Sequence, residues 1–520
     1  MLQSYFATIG TVIKNKLGIT DTNVNFNEGF AFSEVTEDTV RKLIDKIKIG
    51  VATGADGISA RILKDCKEVI LPTLTSLVNL SFKTSTFPET MKAATIKCLH
   101  KKNGIDEPAN YRPLSILPIL SKVFERAAVD QMVYFLETNN LISSNQHAYR
   151  KGHSTVTSLS EVTNHIYTQI EKGYIVGMAS LDLSKAFDSI DHSHLLQKLT
   201  DIGMGKSLVE WTKSYLTNRT QKTKFSSVTS ETATVTSGVP QGSILGPILF
   251  IIFTNDLVTA FSNQTHVVSY ADDTQLLETG KTIEEVKEKL ERTIDIAQHW
   301  YKHNSLMSNP AKTEIIVFRT KKGKKHNITI KVQENGEEVE LKPADCIKVL
   351  GVHVDECLEF NTQVKHVRGK ATAATKNLYR IRDLLPVKCK MMLYDGLIAS
   401  HFNYADVIWG GCTKKNQEKL QTTQNFAMRT ILGMDRRSSA TEALTKLRYL
   451  DLQNKRQVHE AVFAYKAING TQPEEVTKKY KELMPKGNTR SATRQVLNYP
   501  KHKTVPKCQR FQNSVKNFAF

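Results

Sequence analysis

Three aspartates and one glutamine carry the chemistry that is legible in this chain. In Tyr270-Ala271-Asp272-Asp273 two carboxylates stand side by side. Val267, Val268, Leu276 and Leu277 flank them, so the pair falls where a tight hairpin would turn between two buried strands. Adjacent carboxylates in such a place repel each other and lose water, which is costly. A hard, oxygen-ligated cation removes that cost, and Mg²⁺ is the natural candidate. Taken alone, the tetrapeptide reads equally as an exposed acidic turn. A further acid, Asp182, ends the apolar run that begins at Tyr174. It is either an N-cap to a helix starting near Ser184 or a third metal ligand that meets Asp272 in space. In Gly238-Val239-Pro240-Gln241-Gly242-Ser243 glycines flank a polar glutamine, so that another backbone or a base can approach closely. A plain loop-to-helix cap is the other reading. Arg112, Lys122, Arg150 and Lys151 lie upstream as candidate triphosphate or template-backbone contacts, or as ordinary solvated charge.

The elements that must position these residues follow from periodicity. Thr36 caps a helix with Val40, Leu43, Ile44 and Ile47 on one face, and a second helix carries Ile62, Val69 and Ile70. Lys92–Lys102 reads as a short strand running into a basic loop, and Pro113 forces an extended approach to a helix that reaches about Leu136. Ser154 opens a helix through Ile170; Tyr174–Leu183 is a buried strand. Thr282 and Glu285 form a capping box before a helix to Trp300. Ile315–Phe318 is a strand, and Asn335-Gly336 marks a hairpin. Ile347–Val354 reads as one strand. Val364, Val367, Ala371, Ala374, Leu378, Ile381 and Leu385 mark a helix ended by Pro386. Lys365, Arg368 and four further basic residues lie mostly off its apolar seam, a face suited to a duplex backbone. Helices follow to Ile468, and beyond Gly470 the sequence is polar, basic and weakly periodic.

Composition narrows the partners. A net charge of +19 and a pI near 9.4 point to a polyanion, and nucleic acid is favoured because no amphipathic anchor or lipidation signal is present. The longest apolar run, Ile248–Phe253, is too short to cross a bilayer, and the first residues lack the continuous apolar segment of a signal peptide. An intracellular protein with no membrane partner is expected. Seven scattered cysteines without a C-x-x-C pair disfavour both disulfides and zinc. No G-x-x-x-x-G-K-[ST] loop is present, which disfavours a nucleoside-triphosphate motor.

Three aspartates, a Gly-Gln-Gly loop, basic loops and a basic helix together fit phosphoryl transfer by two Mg²⁺ ions roughly 3.5–4 Å apart, with Mn²⁺ as the alternative ion. Asp182 and Asp272 would bridge the ions and Asp273 would assist. At this point a resemblance is plain. Leu181-Asp182 through Phe187-Asp188, Gly238–Ser243, Tyr270–Asp273, Lys312-Thr313 and Leu350-Gly351-Val352 resemble the five ordered motifs of reverse transcriptases. Asn110–Pro113 through Ser154-Thr155, Phe87-Pro88 and the segment around Gln424-Asn425 are similar to non-LTR retrotransposon enzymes, the jockey-like ones above all.

The resemblance implies an α+β fold: a right-hand polymerase of fingers, palm and thumb, with a ferredoxin-like palm and an added α-helical C-terminal region. Residues 1–82 would be an N-terminal helical extension and 83–355 the reverse transcriptase domain, with fingers at 83–173 and palm at 174–355. Residues 356–412 would be the thumb and 413–520 a helical, basic C-terminal region. By the same likeness Phe187 would press on the sugar and select dNTPs, with Gln241 and Gly242 lining the nucleotide pocket beside Arg112 and Lys122. Lys312 would protonate pyrophosphate or serve as a salt-bridged structural lysine. Leu350 and Gly351 would grip the primer, and Arg150, Lys151, Lys365 and Arg368 would contact nucleic acid. RNA template, DNA primer and dNTPs are the expected partners, in a nuclear and cytoplasmic ribonucleoprotein. Too few residues precede the fingers for the endonuclease that jockey-like proteins carry. A C-terminal Cys/His knuckle and an RNase H block are also missing. A truncated element copy working with a separate endonuclease is therefore expected. Maturase-like and telomerase-like polymerases, a Mg²⁺-dependent nuclease and an inactive, retroelement-derived nucleic-acid-binding protein are the rival readings.

Overall fold

A computed structural model of the chain describes residues 29–482, apart from 102–103, 184, 262–264, 307–311, 327 and 335–336. The described chain divides into two compact units, each drawn from several stretches of sequence. The first comprises the described residues of Met1–Tyr149, Asp182–Ser262 and Ile296–Asn309; the second those of Arg150–Leu181, Asn263–Asp295 and Pro310–Phe520.

In the first unit α1 (Glu37–Lys46) is capped by the Thr36 hydroxyl, which accepts the Thr39 N–H, and it buries Val40, Leu43 and Ile44 as the spacing predicts. The expected second helix is two, α2 (Ala60–Asp65) and α3 (Lys67–Lys83), and Ile62 and Val69 are exposed. Apolar residues line both sides of α3, so its periodicity leaves the packed face open; the buried face is Leu71, Leu74, Val78 and Phe82. Then come β1 (Ala93–His100), β2 (Tyr111–Ile116) and α4 (Ser121–Thr138). Later stretches add α6 (His192–Asp201), α7 (Lys206–Leu216), β4 (Arg219–Phe225), β5 (Val228–Thr229), β6 (Ala233–Val235) and α8 (Gly246–Thr254). The sheet runs β2-β1-β4-β5, with β6 also paired to β4. Trp211 centres the core among Phe32, Phe82, Phe87 and Tyr215, and its indole N–H donates to Ser81 Oγ at 2.9 Å.

In the second unit α5 (Thr155–Glu171) starts at a capping box on Ser154 and Thr157. The central sheet is β7-β8-β3-β9, all antiparallel, from β3 (Ile175–Leu181), β7 (His266–Tyr270), β8 (Asp273–Gly280) and β9 (Glu314–Phe318). Its spatial order, second-third-first-fourth in chain order, is that of a ferredoxin-like sheet. Helix α9 (Ile283–His303) follows β8; its residues through Asp295 belong to this unit and those from Ile296 to the first. Its N-terminal Glu285 amide bonds to the Thr282 hydroxyl, but the Glu285 carboxylate takes the Lys281 N–H rather than that of Thr282. Strands β10 (Ile330–Glu334) and β11 (Glu337–Leu341) pair as a hairpin, with Glu334 opposite Glu337; Asn335-Gly336 lie outside the described residues. The expected strand 347–354 is instead a hairpin, β12 (Cys346–Val349) and β13 (Val352–Asp355), because Leu350 and Gly351 both take positive φ, 45° and 83°.

Helices α10 (Asn361–Arg380), α11 (Val387–Tyr394), α12 (Ser400–Asn403), α13 (Asp406–Trp409), α14 (Lys414–Leu432), α15 (Ala440–Leu447), α16 (Leu452–Ile468) and α17 (Glu474–Glu482) complete the unit. The expected helix through Leu385 ends five residues early, at Arg380; a 3-10 turn, Arg382–Leu384, follows, and Leu385 before Pro386 is extended. A single core joins α5, the central sheet, the β12–β13 hairpin and α10–α15.

Candidate active site

The Tyr270–Asp273 stretch is a two-residue hairpin. Tyr270 pairs with Asp273 across β7 and β8, leaving Ala271 and Asp272 as the turn. Ala271 has φ 55°, a conformation that a side chain makes costly and that surrounding structure must enforce. Both carboxylates are half-buried. Thr274, the next residue of β8, pairs with Leu181, the last of β3, and Asp182 follows Leu181 in the chain. Lys312 is exposed just before β9. Among the described residues no group of three or more His, Cys, Asp or Glu side chains is assembled to hold a metal ion. The donors of the Asp272-Asp273 hairpin are all oxygens, which suits Mg²⁺ rather than a softer metal.

Asp182 caps no α-helix. The chain after it forms a single 3-10 turn, Ala186–Asp188, entered through Lys185 in the left-handed region, and the next helix, α6, is capped by Asp191. This turn is where the first unit builds a pocket wall. The Gln241 side-chain amide donates to both oxygens of Asp188, each at 2.8 Å. Burial pushes the Asp188 carboxyl up to about 6; the Gln241 bond and Lys185 pull the other way without offsetting it. Burial likewise brings the Lys185 ammonium down to about 8. The glycines are explained by close backbone approach. A Cβ on Gly238 would sit 2.7 Å from the Asp188 backbone, and one on Gly242 would sit 2.7 Å from the Ser115 carbonyl oxygen. Gly238 N–H donates to Ile190 O, Val239 N–H to Phe187 O, and Ser115 N–H to Gln241 O. The expected close approach is therefore made by this unit's own backbone. Phe187 is half-exposed and stacks on Phe250 of α8, ring centroids 4.5 Å apart.

A pH effect follows from Asp188. Its folded value lies above the ordinary carboxylate value of 3.8, so the folded state holds the proton more tightly. That stabilisation is fully present below about pH 4 and is lost as pH rises through about 6. The shift of about two units corresponds to at most about 3 kcal/mol. Asp188→Asn keeps an acceptor for Gln241 and removes the buried charge. Urea unfolding should show the variant about 1–2 kcal/mol more stable than wild type at pH 7.5 and level with it near pH 4. A variant less stable at pH 7.5 would show that the charge itself holds the loop.

Glu125 is a site residue that sequence reasoning misses. It lies on α4, fully buried, and accepts the N–H groups of Ile244 (2.6 Å) and Leu245 (3.1 Å) at the start of α8. Its other oxygen accepts the Ser121 hydroxyl. Burial raises its carboxyl, while the Leu245 N–H and the Arg219 guanidinium oppose the rise. The signal that could have found it is an acid amid Val123, Phe124, Ala127 and Ala128, on a helix face with no solvent side.

The remaining candidates separate by unit. Arg112 is exposed on β2, and Lys122 is half-buried in the first turn of α4. Lys151 is exposed and Arg150 half-buried in the second unit, before α5. Lys365 and Arg368 line a groove of about 730 Å³ between α10 and α14, with Lys376 and Lys419 on its walls and Gly369 and Ala373 keeping α10 slender. Leu350 and Gly351 form the β12–β13 turn.

Residues 99–354 match the reverse transcriptase (RNA-dependent DNA polymerase) family. The chain is 28% identical over 409 residues to the probable RNA-directed DNA polymerase from transposon X-element of Drosophila melanogaster, covering 77% of this chain and 44% of that protein. It is 28% identical over 419 residues to the RNA-directed DNA polymerase from mobile element jockey of the same organism, covering 78% and 45%. The chain thus spans less than half the length of these relatives. Among solved structures, apo telomerase from Candida tropicalis, truncated from its C-terminal domain, aligns at a TM-score of 0.37 and 11% identity over 58% of this chain and 61% of that one. No helix among the described residues is long and apolar enough to cross a membrane. The acidic hairpin on its ferredoxin-like sheet, the Gln241 loop and the comparisons agree: residues 99–354 match the reverse transcriptase family, and the chain is similar to the RNA-directed DNA polymerases of jockey and transposon X-element.

Proposed function

We propose that the chain is an RNA-directed DNA polymerase, extending a primer 3′-hydroxyl along an RNA template. The observation that carries this reading is the placement of Asp272 and Asp273 at a two-residue hairpin of a four-stranded antiparallel sheet whose strand β3 leads directly into Asp182. These three carboxylates would hold Mg²⁺, with Mn²⁺ as a substitute. Bound there, the ions would activate the 3′-hydroxyl and neutralise charge on the leaving pyrophosphate. Phe187 would exclude a ribose 2′-hydroxyl from the nucleotide site. Asp188 fixes the Gln241 side chain, so Gln241 would serve as a rigid wall for the base rather than a mobile contact. Arg112 and Lys122 would take the triphosphate, Lys312 would protonate pyrophosphate, and Arg150 and Lys151 would hold the template strand. Residues 83–173, 174–355 and 356–412 would act as fingers, palm and thumb, flanked by the helical regions 1–82 and 413–520. The α10–α14 groove would take the duplex backbone on Lys365 and Arg368. A nuclear and cytoplasmic ribonucleoprotein with a separate endonuclease fits this chemistry.

The test is primer extension on poly(rA)/oligo(dT) with dTTP and Mg²⁺. Labelled cDNA that vanishes with a chelator is the expected result. Binding of the hybrid with no product would overturn polymerisation and leave a retroelement-derived nucleic-acid-binding protein.

A further inference from the structure

The β12–β13 turn is held in an unfavourable conformation by one side chain from a distant part of the same unit. Val349 pairs with Val352, so Leu350 and Gly351 are the two central residues. Both have positive φ, the pattern normally met by Asn-Gly. Leucine is strained there, and such strain persists only where neighbours over-determine it. Tyr404 is that neighbour. Its hydroxyl donates to the Leu350 carbonyl oxygen at 2.6 Å. Its ring lies 3.3 Å from the point where a Cβ on Gly351 would stand, so a side chain there would press on the ring as well as strain the positive φ.

Tyr404 is itself fixed from behind. The buried Trp409 indole N–H donates to the Tyr404 carbonyl at 2.8 Å, and Ala405 turns the chain at φ 51°. The ring nonetheless stays 40% exposed. One rigid tyrosine therefore meets the Leu350-Gly351 turn with both its hydroxyl and its ring.

We propose that Tyr404 is a positioning residue, a latch that sets the Leu350-Gly351 turn, and that the turn so held places the primer 3′ end. This rests on the polymerase reading above. Tyr404→Phe removes the hydroxyl and keeps the ring. The backbone amides of residues 346–355 should then exchange hydrogen faster in the free protein. The single-turnover rate of primer extension should fall about tenfold, with the Kd for the hybrid within about twofold of wild type. Leu350→Asn, which tolerates the left-handed region, should restore slow exchange and most of the rate in the Tyr404→Phe background. Unchanged exchange in Tyr404→Phe overturns the latch whatever the activity. Faster exchange with a wild-type extension rate overturns the positioning role. A rate loss that Leu350→Asn does not recover reduces Tyr404 to a structural residue. If the wild-type chain binds the hybrid but extends nothing, the polymerase reading falls, and the positioning role falls with it.

Discussion

Asp272→Ala should lower primer extension by at least about a thousandfold, while equilibrium unfolding without metal changes by no more than about 1 kcal/mol. The two halves have separate causes. A carboxylate that holds a catalytic cation contributes several kcal/mol to charge stabilisation in the transition state, and alanine supplies none of it. The hairpin does not need that carboxylate for pairing: Tyr270 opposes Asp273, and Thr274 opposes both Ser269 and Leu181. Removing one of two adjacent like charges also relieves repulsion in the metal-free protein. Mg²⁺ should therefore raise the unfolding midpoint of the wild type and leave that of the variant almost unmoved. A variant that retains a tenth or more of the extension rate would remove Asp272 from the chemistry.

What the sequence carried, and what it did not, divides along a physical line. Features set by neighbours along the chain were legible. The Ser154 cap, a buried strand within 174–183 and a hairpin at the acidic pair each follow from spacing; the strand stops at Leu181, two residues short of Leu183, and the turn itself is Ala271-Asp272. Features set by contacts across long sequence separations were not. Asp188 and Gln241 are both visible in sequence, but nothing local says that one carboxylate takes both bonds from the other's amide. The 347–354 run alternates like a strand, and the break at Leu350 depends on Tyr404, 54 residues later. Periodicity also leaves α3 undecided, since Val69 and Leu71 are equally apolar and only Leu71 is buried.

Glu125 is the sharpest case of that second kind, and its removal should have the largest effect on stability. Helix α8 is apolar on every side, with Ile248 through Phe253 buried, so it offers no side chain of its own to satisfy its first N–H groups. Ser243 accepts the Gly246 N–H, and Glu125 accepts those of Ile244 and Leu245. Glu125→Ala would leave one buried and one half-buried donor without acceptors and open a cavity. It would also strip the Arg219 guanidinium, itself buried, of a carboxylate that balances its charge. The expected cost is about 3–5 kcal/mol in denaturant unfolding. Glu125→Gln retains a carbonyl oxygen in the same place and should lose only about 1–2 kcal/mol. The consequence for activity runs through α8. Phe250 stacks under Phe187, and the Gln241 loop leads into the Glu125-bound residues, so both walls of the proposed nucleotide site shift when the helix start is released. The KM for dTTP should then rise more than the Kd for the hybrid, which on this reading would rest on the second unit's basic groove. Equal losses in both, or two variants within about 1 kcal/mol of wild type, would show that α8 is anchored by its apolar packing alone.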